Sequence, residues 1–250
     1  MKVAITQPNF LPWFGYFDLL QSVDVFVVLD CVQLVKRSFM TRNRILDSMK
    51  RVAWIVEHIK KCAQKTMMNK SYMANDQWSI NLIQKIKEAY KNHPGGYHLI
   101  SFLDDVLHPR DNEIVSEYNW RLLMNLFDYF NLRKPNNIIK ASSIIDNMQF
   151  KSPQELILYL CKETGATSFY NFKKGVESGF YKHQAFKEFG IKLFKQEYIH
   201  PTYKQYTKQD FVPYLSIIDL GFCEPNNVST IVQMGSNWIE VIENKYSDDQ

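Results

Sequence analysis

The order of apolar and polar positions near the N terminus predicts a strand, a loop, a helix and a second strand. Residues 2–6 and 24–29 are short apolar runs, and residues 15–22 carry apolar side chains at helical spacing between them. The polar stretch from Gln7 to Pro12, which contains two prolines, is expected to end the first strand. Such a βαβ unit implies that the two strands pair in parallel.

The rest of the chain continues this alternation around a long helical region. Strands are predicted at 52–56, 137–140, 167–170 and 191–194, with helices at 181–189 and 210–220, the last of which ends at Gly221. Apolar positions at a spacing of three or four residues make residues 75–131 mostly helical. This region is predicted to be a helical insertion or a cap over the sheet.

One predicted helix has a signal at each end. Ser152 and Glu155 form a capping box, Pro153 stands at the first helical position, and Gly165 lies where a left-handed residue ends a helix. No internal repeat, low-complexity segment or convincing linker is visible, so we expect residues 1–250 to form a single α/β domain. Its sheet is predicted to be open, mostly parallel and Rossmann-like.

Composition indicates a folded chain with a large apolar core. Of the 250 residues, 46% are hydrophobic, 14% are aromatic and 22% are charged, which does not favour disorder. The four cysteines lie far apart without a C-x-x-C pair, so neither structural zinc nor a redox motif is expected. No apolar run reaches the roughly 18 residues of a membrane span, and the N terminus lacks signal-peptide features. We therefore expect a cytoplasmic protein.

Positive charge is concentrated in one part of the chain. The whole sequence has a net charge of +4, whereas residues 36–65 contain nine Lys or Arg against two acids, Asp47 and Glu57. The remainder is therefore net acidic, and we expect no nucleic-acid partner. A cationic surface beside the ligand crevice of a sheet suits a phosphate or diphosphate, because arginine can bind its oxygens in bidentate fashion.

Several catalytic and cofactor motifs are missing. The nine glycines form neither a G-x-G-x-x-G pattern nor a Walker-type loop, and neither a G-x-S-x-G elbow nor a cluster of metal ligands occurs. These absences argue against the standard dinucleotide, P-loop and α/β-hydrolase sites. We predict no cofactor and no metal.

Ligands of open parallel sheets bind beyond the carboxyl ends of the strands, and three segments are expected there. The first is the loop after the initial strand. Its prolines make it rigid, and Gln7 and Asn9 offer hydrogen bonds. Trp13 or Tyr16 could stack on a base or a sugar, although a rigid turn whose rings cap the core is the alternative.

The second segment follows the second strand. Its candidate ligand-binding residues are Gln33, Lys36, Arg37, Arg42 and Asn43. They are assigned to a phosphate or diphosphate for the reason given above. The three lysines at positions 60, 61 and 65 are expected to be solvated.

The third segment comes late in the chain. Tyr203 and Gln205 are expected just beyond one strand, and Asn171 follows the strand before it. His200 is the candidate general base, because histidine is suited to proton transfer near neutral pH; a structural or exposed histidine is the alternative. Asp219 is expected to form a hydrogen bond with a neighbouring loop.

These motifs, taken in order, resemble the WbqC-like protein family. The matching segments are 1–8 (MKVAITQP), 12–17 (PWFGYF), 24–28 (DVFVV), 32–33, 36–37, 42–44 (RNR), 160–167 (LCKETGAT), 200–205 (HPTYKQ) and 211–220 (FVPYLSIIDL). The resemblance implies an enzyme of O-antigen or other surface-polysaccharide assembly. It carries a site over to Gln7, Pro8, Trp13, Tyr16, Lys36, Arg37, Asn43, His200, Tyr203 and Gln205. Where the family commonly has Ser-Gly, this chain has Asn171 and Phe172.

Residues 3–20 are also similar to the opening of HIGH-type nucleotidyltransferases of the HUP class. Two histidines of that motif stabilise the transferring phosphate, and here Trp13 and Tyr16 stand at the corresponding positions. Neither side chain can supply a cation.

Three functions are compatible with these features. The leading hypothesis is a transferase that modifies a nucleotide-linked amino sugar, with small molecules as its only expected partners. The second is a nucleotidyltransferase with altered phosphate contacts, and the third is a non-catalytic protein that binds nucleotide sugars.

Overall fold

The computed structural model describes residues 1–145, 148–207 and 210–242. The strands are β1 (Lys2–Thr6), β2 (Val25–Val28), β3 (Arg42–Leu46), β4 (Val52–Val56), β5 (Asn137–Lys140), β6 (Ser168–Phe172), β7 (Lys192–Gln196) and β8 (Trp238–Glu240). The α-helices are α1 (Phe14–Gln21), α2 (Gln77–Tyr90), α3 (Gly96–Leu107), α4 (Val115–Tyr129), α5 (Pro153–Glu163), α6 (Lys173–Glu177), α7 (His183–Glu188), α8 (Ile217–Cys223) and α9 (Val228–Met234). None of the helices in these described residues has both the length and the apolar character needed to cross a bilayer.

Six strands form one sheet in the order β5-β2-β1-β6-β7-β8. All neighbours pair in parallel except β7 and β8, which are antiparallel. The strand order reverses between β1 and β6, as it does at the ligand crevice of doubly wound folds. The predicted open, mostly parallel Rossmann-like sheet is therefore confirmed.

The predicted strand at 52–56 forms but does not join this sheet. It pairs with β3 in an antiparallel hairpin, in which Arg42 faces Val56 and Arg44 faces Trp54. Strand β3 was not predicted, because its first three residues, at positions 42–44, are polar and only Ile45 and Leu46 are apolar. Both of these are buried.

Period-two alternation along the central strands supplies two cores, one on each face of the sheet. Val3 and Ile5 belong to the core on the side of α5 and α7, whereas Ala4 and Phe26 belong to the core shared with α1, α4 and α8. Both faces of a parallel sheet are thereby covered, which is the usual requirement for such sheets.

Residues 75–131 are helical, as predicted, and form α2, α3 and α4. Their apolar faces belong to the same core as the sheet. Phe127 of α4 packs on Phe17 with ring centroids 5.0 Å apart, and Trp120 stacks on Phe26 of β2 at 5.9 Å. The carboxyl edge of β1 is therefore bordered by α4.

The helix with signals at both ends is confirmed as α5. The Ser152 side chain accepts a hydrogen bond from the Glu155 amide at 3.1 Å, and Pro153 is the first helical residue. Gly165 has a φ of +64°, the left-handed conformation that glycine adopts without strain.

The predicted helix at 210–220 is wrong at both ends. It begins only at Ile217 as α8, because amides before it have partners elsewhere: the Val212 amide donates to Gln205, the Tyr214 amide to His200, and the Ser216 amide to Arg44. Gly221 does not end the helix. A Cβ there would lie 2.4 Å from the Phe130 ring, so glycine permits close packing.

Candidate functional site

Trp13 joins the loop after β1 to residues 200–207 and 210–216, which we call the late segment. Its indole stacks on His200 with ring centroids 6.2 Å apart and an interplanar angle of 11°, and meets Tyr214 edge-on at 5.2 Å. Its backbone forms an isolated antiparallel bridge with Ser216. Two of the three predicted segments therefore meet at the start of α1.

The second predicted segment, which we call the basic segment (residues 33–65), contacts both of them. The Phe10 amide donates to the Phe39 carbonyl at 3.2 Å, and the Asn43 side chain donates to the Phe10 carbonyl at 3.3 Å. On the other side, the Arg44 guanidinium donates to the Tyr214 carbonyl at 3.0 Å. All three segments therefore come together beyond the carboxyl end of β1, and we call this region the candidate site.

Asn119 of helix α4 contacts two of the segments that form the candidate site. The Asn119 side-chain amide donates to the Pro8 carbonyl at 3.3 Å and to the Met40 carbonyl at 2.8 Å. Asn119 is fully buried, so one side chain fixes the loop after β1 and the basic segment relative to each other.

Tyr16 belongs to the core. It is fully buried and its hydroxyl donates to the Gln7 carbonyl at 2.7 Å, while burial raises its pKa above the ordinary value for tyrosine. Tyr16 therefore fixes the shape of the loop and is not exposed for stacking. Gln7 and Asn9 remain half-exposed in that loop, and the Gln7 side-chain oxygen accepts the Thr6 hydroxyl at 3.3 Å.

Two of the three candidate asparagines, Asn43 and Asn171, are also buried. The Asn43 carbonyl oxygen accepts the Arg44 amide at 2.9 Å, in addition to the bond from Asn43 to Phe10. Asn171 accepts the Phe172 amide at 2.8 Å at the end of β6. Both side chains hold backbone in place, which is the more common use of a buried amide.

Tyr203 and Gln205 belong to a buried network around Asp219. The Tyr203 hydroxyl donates to one carboxylate oxygen at 2.6 Å and the Tyr90 hydroxyl donates to the other at 2.5 Å. Gln205 lies beside Tyr203 and donates to the Val212 carbonyl at 2.8 Å. Burial raises the pKa of Asp219 more than these donors lower it. Asp219 was expected to form a hydrogen bond with a neighbouring loop, and the bond from Tyr203 agrees with this expectation.

Both ring nitrogens of His200 are occupied by main chain. Nδ1 lies 2.9 Å from the Pro201 carbonyl, which can only accept, and Nε2 accepts the Tyr214 amide at 3.0 Å. These partners fix the neutral tautomer with its proton on Nδ1, and burial lowers the pKa of the ring. The arrangement favours a role in positioning the late segment over proton transfer.

Gln33, Lys36 and Arg37 remain exposed on the surface of the basic segment. The Gln33 side-chain amide donates to the Gln64 carbonyl at 3.0 Å, and Gln33 forms an isolated antiparallel bridge with Met67. Within residues 1–145, 148–207 and 210–242, neither Lys36 nor Arg37 has an acidic partner within ion-pair distance. Both side chains are free to attract an anion.

Arg42 and Arg44 lie on the same, outward face of β3. Both are half-buried, and the Nε atom of each is buried without a hydrogen-bond partner. The two acids of the basic segment do not neutralise them, because Asp47 pairs with Arg51 at 3.1 Å and Glu57 points to the opposite face of the hairpin. Desolvated cations without a counterion are costly, so this pair favours binding of an anion.

Glu57 was missed as a notable residue because nothing in the sequence distinguishes it from a solvated acid. It is 3% exposed, and neither carboxylate oxygen has a hydrogen bond of ordinary length. Burial raises its pKa well above the usual range, and the Asn119 side chain opposes this only in part. Two further residues, Phe39 and Trp54, were missed because β3 was not predicted.

No group of three or more His, Cys, Asp or Glu side chains arranged to hold a metal ion occurs in the described part of the chain.

A family model described as the WbqC-like protein family matches residues 7–230. The chain is also 25% identical over 224 residues to the uncharacterized protein Rv1507c of Mycobacterium tuberculosis, an alignment that covers 88% of this chain and 93% of that protein. No solved structure gives a significant match.

Proposed function

Since the chain belongs to the WbqC-like protein family, we propose that it is a transferase that modifies a nucleotide-linked sugar, with an amino sugar as the first choice, in surface-polysaccharide assembly. It acts on soluble small molecules in the cytoplasm. The polysaccharide context rests on the association of this family with surface-glycan gene clusters. The binding role rests on the chemistry of the candidate site.

The observation that carries the proposal is the pair of half-buried arginines, Arg42 and Arg44, at the point where the three segments meet. A diphosphate supplies the negative charge that this pair lacks, and the guanidinium N–H groups that have no protein partner can donate to its oxygens. Lys36 and Arg37 extend the positive surface and attract the ligand from solution. Gln7 and Asn9 then offer hydrogen bonds to the sugar.

A second candidate function is binding of a nucleotide sugar without turnover. The observation that favours it is the occupation of both His200 ring nitrogens by main chain. The nucleotidyltransferase alternative is less favoured, because Tyr16, at a position of its phosphate-binding motif, is buried in the core.

Thermal stabilisation by a panel of ligands tests the proposal. The panel contains nucleotide sugars with and without an amino group, nucleoside triphosphates and inorganic phosphate. A ligand at 100 times its Kd adds about 2.7 kcal/mol of stability. We expect nucleotide sugars to stabilise the protein, Arg42→Gln and Arg44→Gln to weaken that effect, and Lys61→Gln, in the same basic run but expected to be solvated, to leave it unchanged.

Product analysis then separates the two candidates. A transferase converts the stabilising sugar when an activated donor is added, whereas a binding protein returns it unchanged. Stabilisation by triphosphates alone, or equal stabilisation of the wild type and both arginine variants, would rule out the proposed ligand site.

A further inference from the structure

Two large aromatic side chains are exposed beside the arginine pair. Phe39 is 50% exposed and Trp54 is 40% exposed. Their ring centroids lie 6.2 Å apart with an interplanar angle of 45°. Trp54 is on the outward face of the β3–β4 hairpin, directly across from Arg44. An adjoining pair of exposed rings next to a polar site is typical of surfaces that bind a planar group.

Two cations contact Trp54. The Arg42 guanidinium lies over the Trp54 ring, 4.0 Å from its centroid, and the Lys85 ammonium donates to the Trp54 carbonyl at 3.1 Å. Neither cation has an acidic partner among the described residues. A purely apolar partner would leave these charges unmatched. A ligand that joins a planar ring to phosphate groups satisfies both the rings and the cations.

The order of side chains along the hairpin gives the ligand a direction. The Trp54 backbone pairs with Arg44, but its ring contacts Phe39 and Arg42, so both rings lie toward the Arg42 end of β3. Arg42 and Arg44 are two residues apart along the strand, which is about 6.6 Å and comparable to the length of a diphosphate. Beyond Arg44 comes Tyr214, whose carbonyl accepts the Arg44 guanidinium. Tyr214 in turn contacts Trp13 of the loop after β1.

We propose that Phe39 and Trp54 bind the base of the nucleotide, with the diphosphate along Arg42 and Arg44 and the sugar toward Trp13. The outer face of the hairpin is then the nucleoside subsite, and it is separate from the region beyond the carboxyl end of β1. This inference rests on the proposed function, because it divides the same ligand among named side chains.

Calorimetric titration with nucleoside diphosphates and with inorganic pyrophosphate tests this division. ADP, GDP, CDP and UDP are compared first, and the tightest is used with Phe39→Ala and Trp54→Ala. Stacking of one base on an aromatic side chain contributes enough that its loss weakens binding about tenfold. We expect the ratio of nucleotide affinity to pyrophosphate affinity to fall by about that factor in each variant.

Two further variants serve as controls. Val52→Ala removes an apolar side chain that is 46% exposed on the same strand, and should leave the ratio unchanged. Trp54→Phe keeps a ring and should recover most of the ratio, which also covers the case in which Trp54→Ala does not fold.

The outcomes separate this inference from the proposed function. If Arg42→Gln weakens both ligands while Phe39→Ala and Trp54→Ala keep the wild-type ratio, the nucleoside subsite is wrong and the diphosphate site stands. If neither ligand binds the wild type, or Arg42→Gln has no effect on either, both are wrong.

Discussion

Glu57 is a carboxyl group in surroundings that favour its neutral form. It is 3% exposed, and the burial that raises its pKa is opposed only in part by the Asn119 side chain. The folded protein therefore holds a proton that the unfolded chain releases near pH 4.5, the usual value for glutamate. Stability from this group is complete below that pH and is lost as the pH rises toward the pKa of the folded state.

Replacement of Glu57 by Gln should remove this loss. The stability of the variant relative to the wild type is expected to increase with pH above about 4.5, by about 1.4 kcal/mol per pH unit where only the folded state holds the proton. Urea unfolding between pH 5 and pH 8 measures it. Glu117→Gln, at a more exposed position on α4, is the control. A difference between E57Q and wild type that stays constant with pH would contradict the raised pKa.

His200 illustrates the opposite sign. Burial lowers its pKa, so the unfolded chain binds a proton more readily and stability falls as the pH drops below about 6.5. His200→Ala should cost roughly 1–2 kcal/mol at pH 7, because the Tyr214 amide loses its acceptor, and less at pH 5. Chemical unfolding at both pH values measures this, with the exposed His98→Ala as control. An NMR titration in which the His200 ring protonates at the ordinary pKa would refute the prediction.

At the scale of elements, the Asp219 network connects α8 to the late segment and, through Tyr90, to α2. Asp219→Asn replaces one of the two acceptor oxygens by a donor that faces a tyrosine hydroxyl. We expect a loss of about 1–3 kcal/mol in the free energy of unfolding, because a buried hydrogen bond is left unmade. Urea denaturation measures it, with Asp105→Asn on the exposed face of α3 as control. An unchanged midpoint for D219N would show that the network is not needed for stability.

Elements with local signals could be predicted from the sequence, and those that depend on distant partners could not. Helix α5 carries its own cap and stop, so its bounds follow from Ser152 and Gly165. Residues 210–216 have a helical pattern, yet Gln205, His200 and Arg44 take amides that a helix would need. No window of neighbouring residues contains that information.

The same limit applies to single site residues. The positions of Trp13, Arg42 and Lys36 beyond the strand ends follow from the βαβ pattern, since loop placement is set by topology. The burial of Tyr16, Asn43 and Asn171 does not, because a polar residue near the end of a predicted strand looks the same in sequence whether it faces solvent or holds backbone in place. Phe39 and Trp54 emerge only when β3 pairs with β4.

At the scale of the whole molecule, charge is divided unevenly. The protein carries +4 overall, while residues 36–65 alone contain nine Lys or Arg against two acids. Attraction of an anionic ligand to the cations of the candidate site is screened by salt, with a Debye length of about 10 Å at 0.1 M and about 3 Å at 1 M. We expect nucleotide affinity to fall as NaCl is raised over this range, and Arg42→Gln to make the fall shallower. Titrations at several salt concentrations check it, with Lys61→Gln as control. Affinity that does not depend on salt would exclude a dominant role for these charges.

The hydroxyl of Tyr90 has a second partner, and a spectroscopic consequence follows from it. It accepts the Leu46 amide at 2.9 Å while it donates to Asp219, to which Tyr203 also donates. Deuterium uptake at the Leu46 amide is thus coupled to the attachment of the late segment, although Leu46 and Tyr203 share no direct bond. Hydrogen exchange at the Leu46 amide of the hairpin is therefore expected to report the release of the late segment from Asp219.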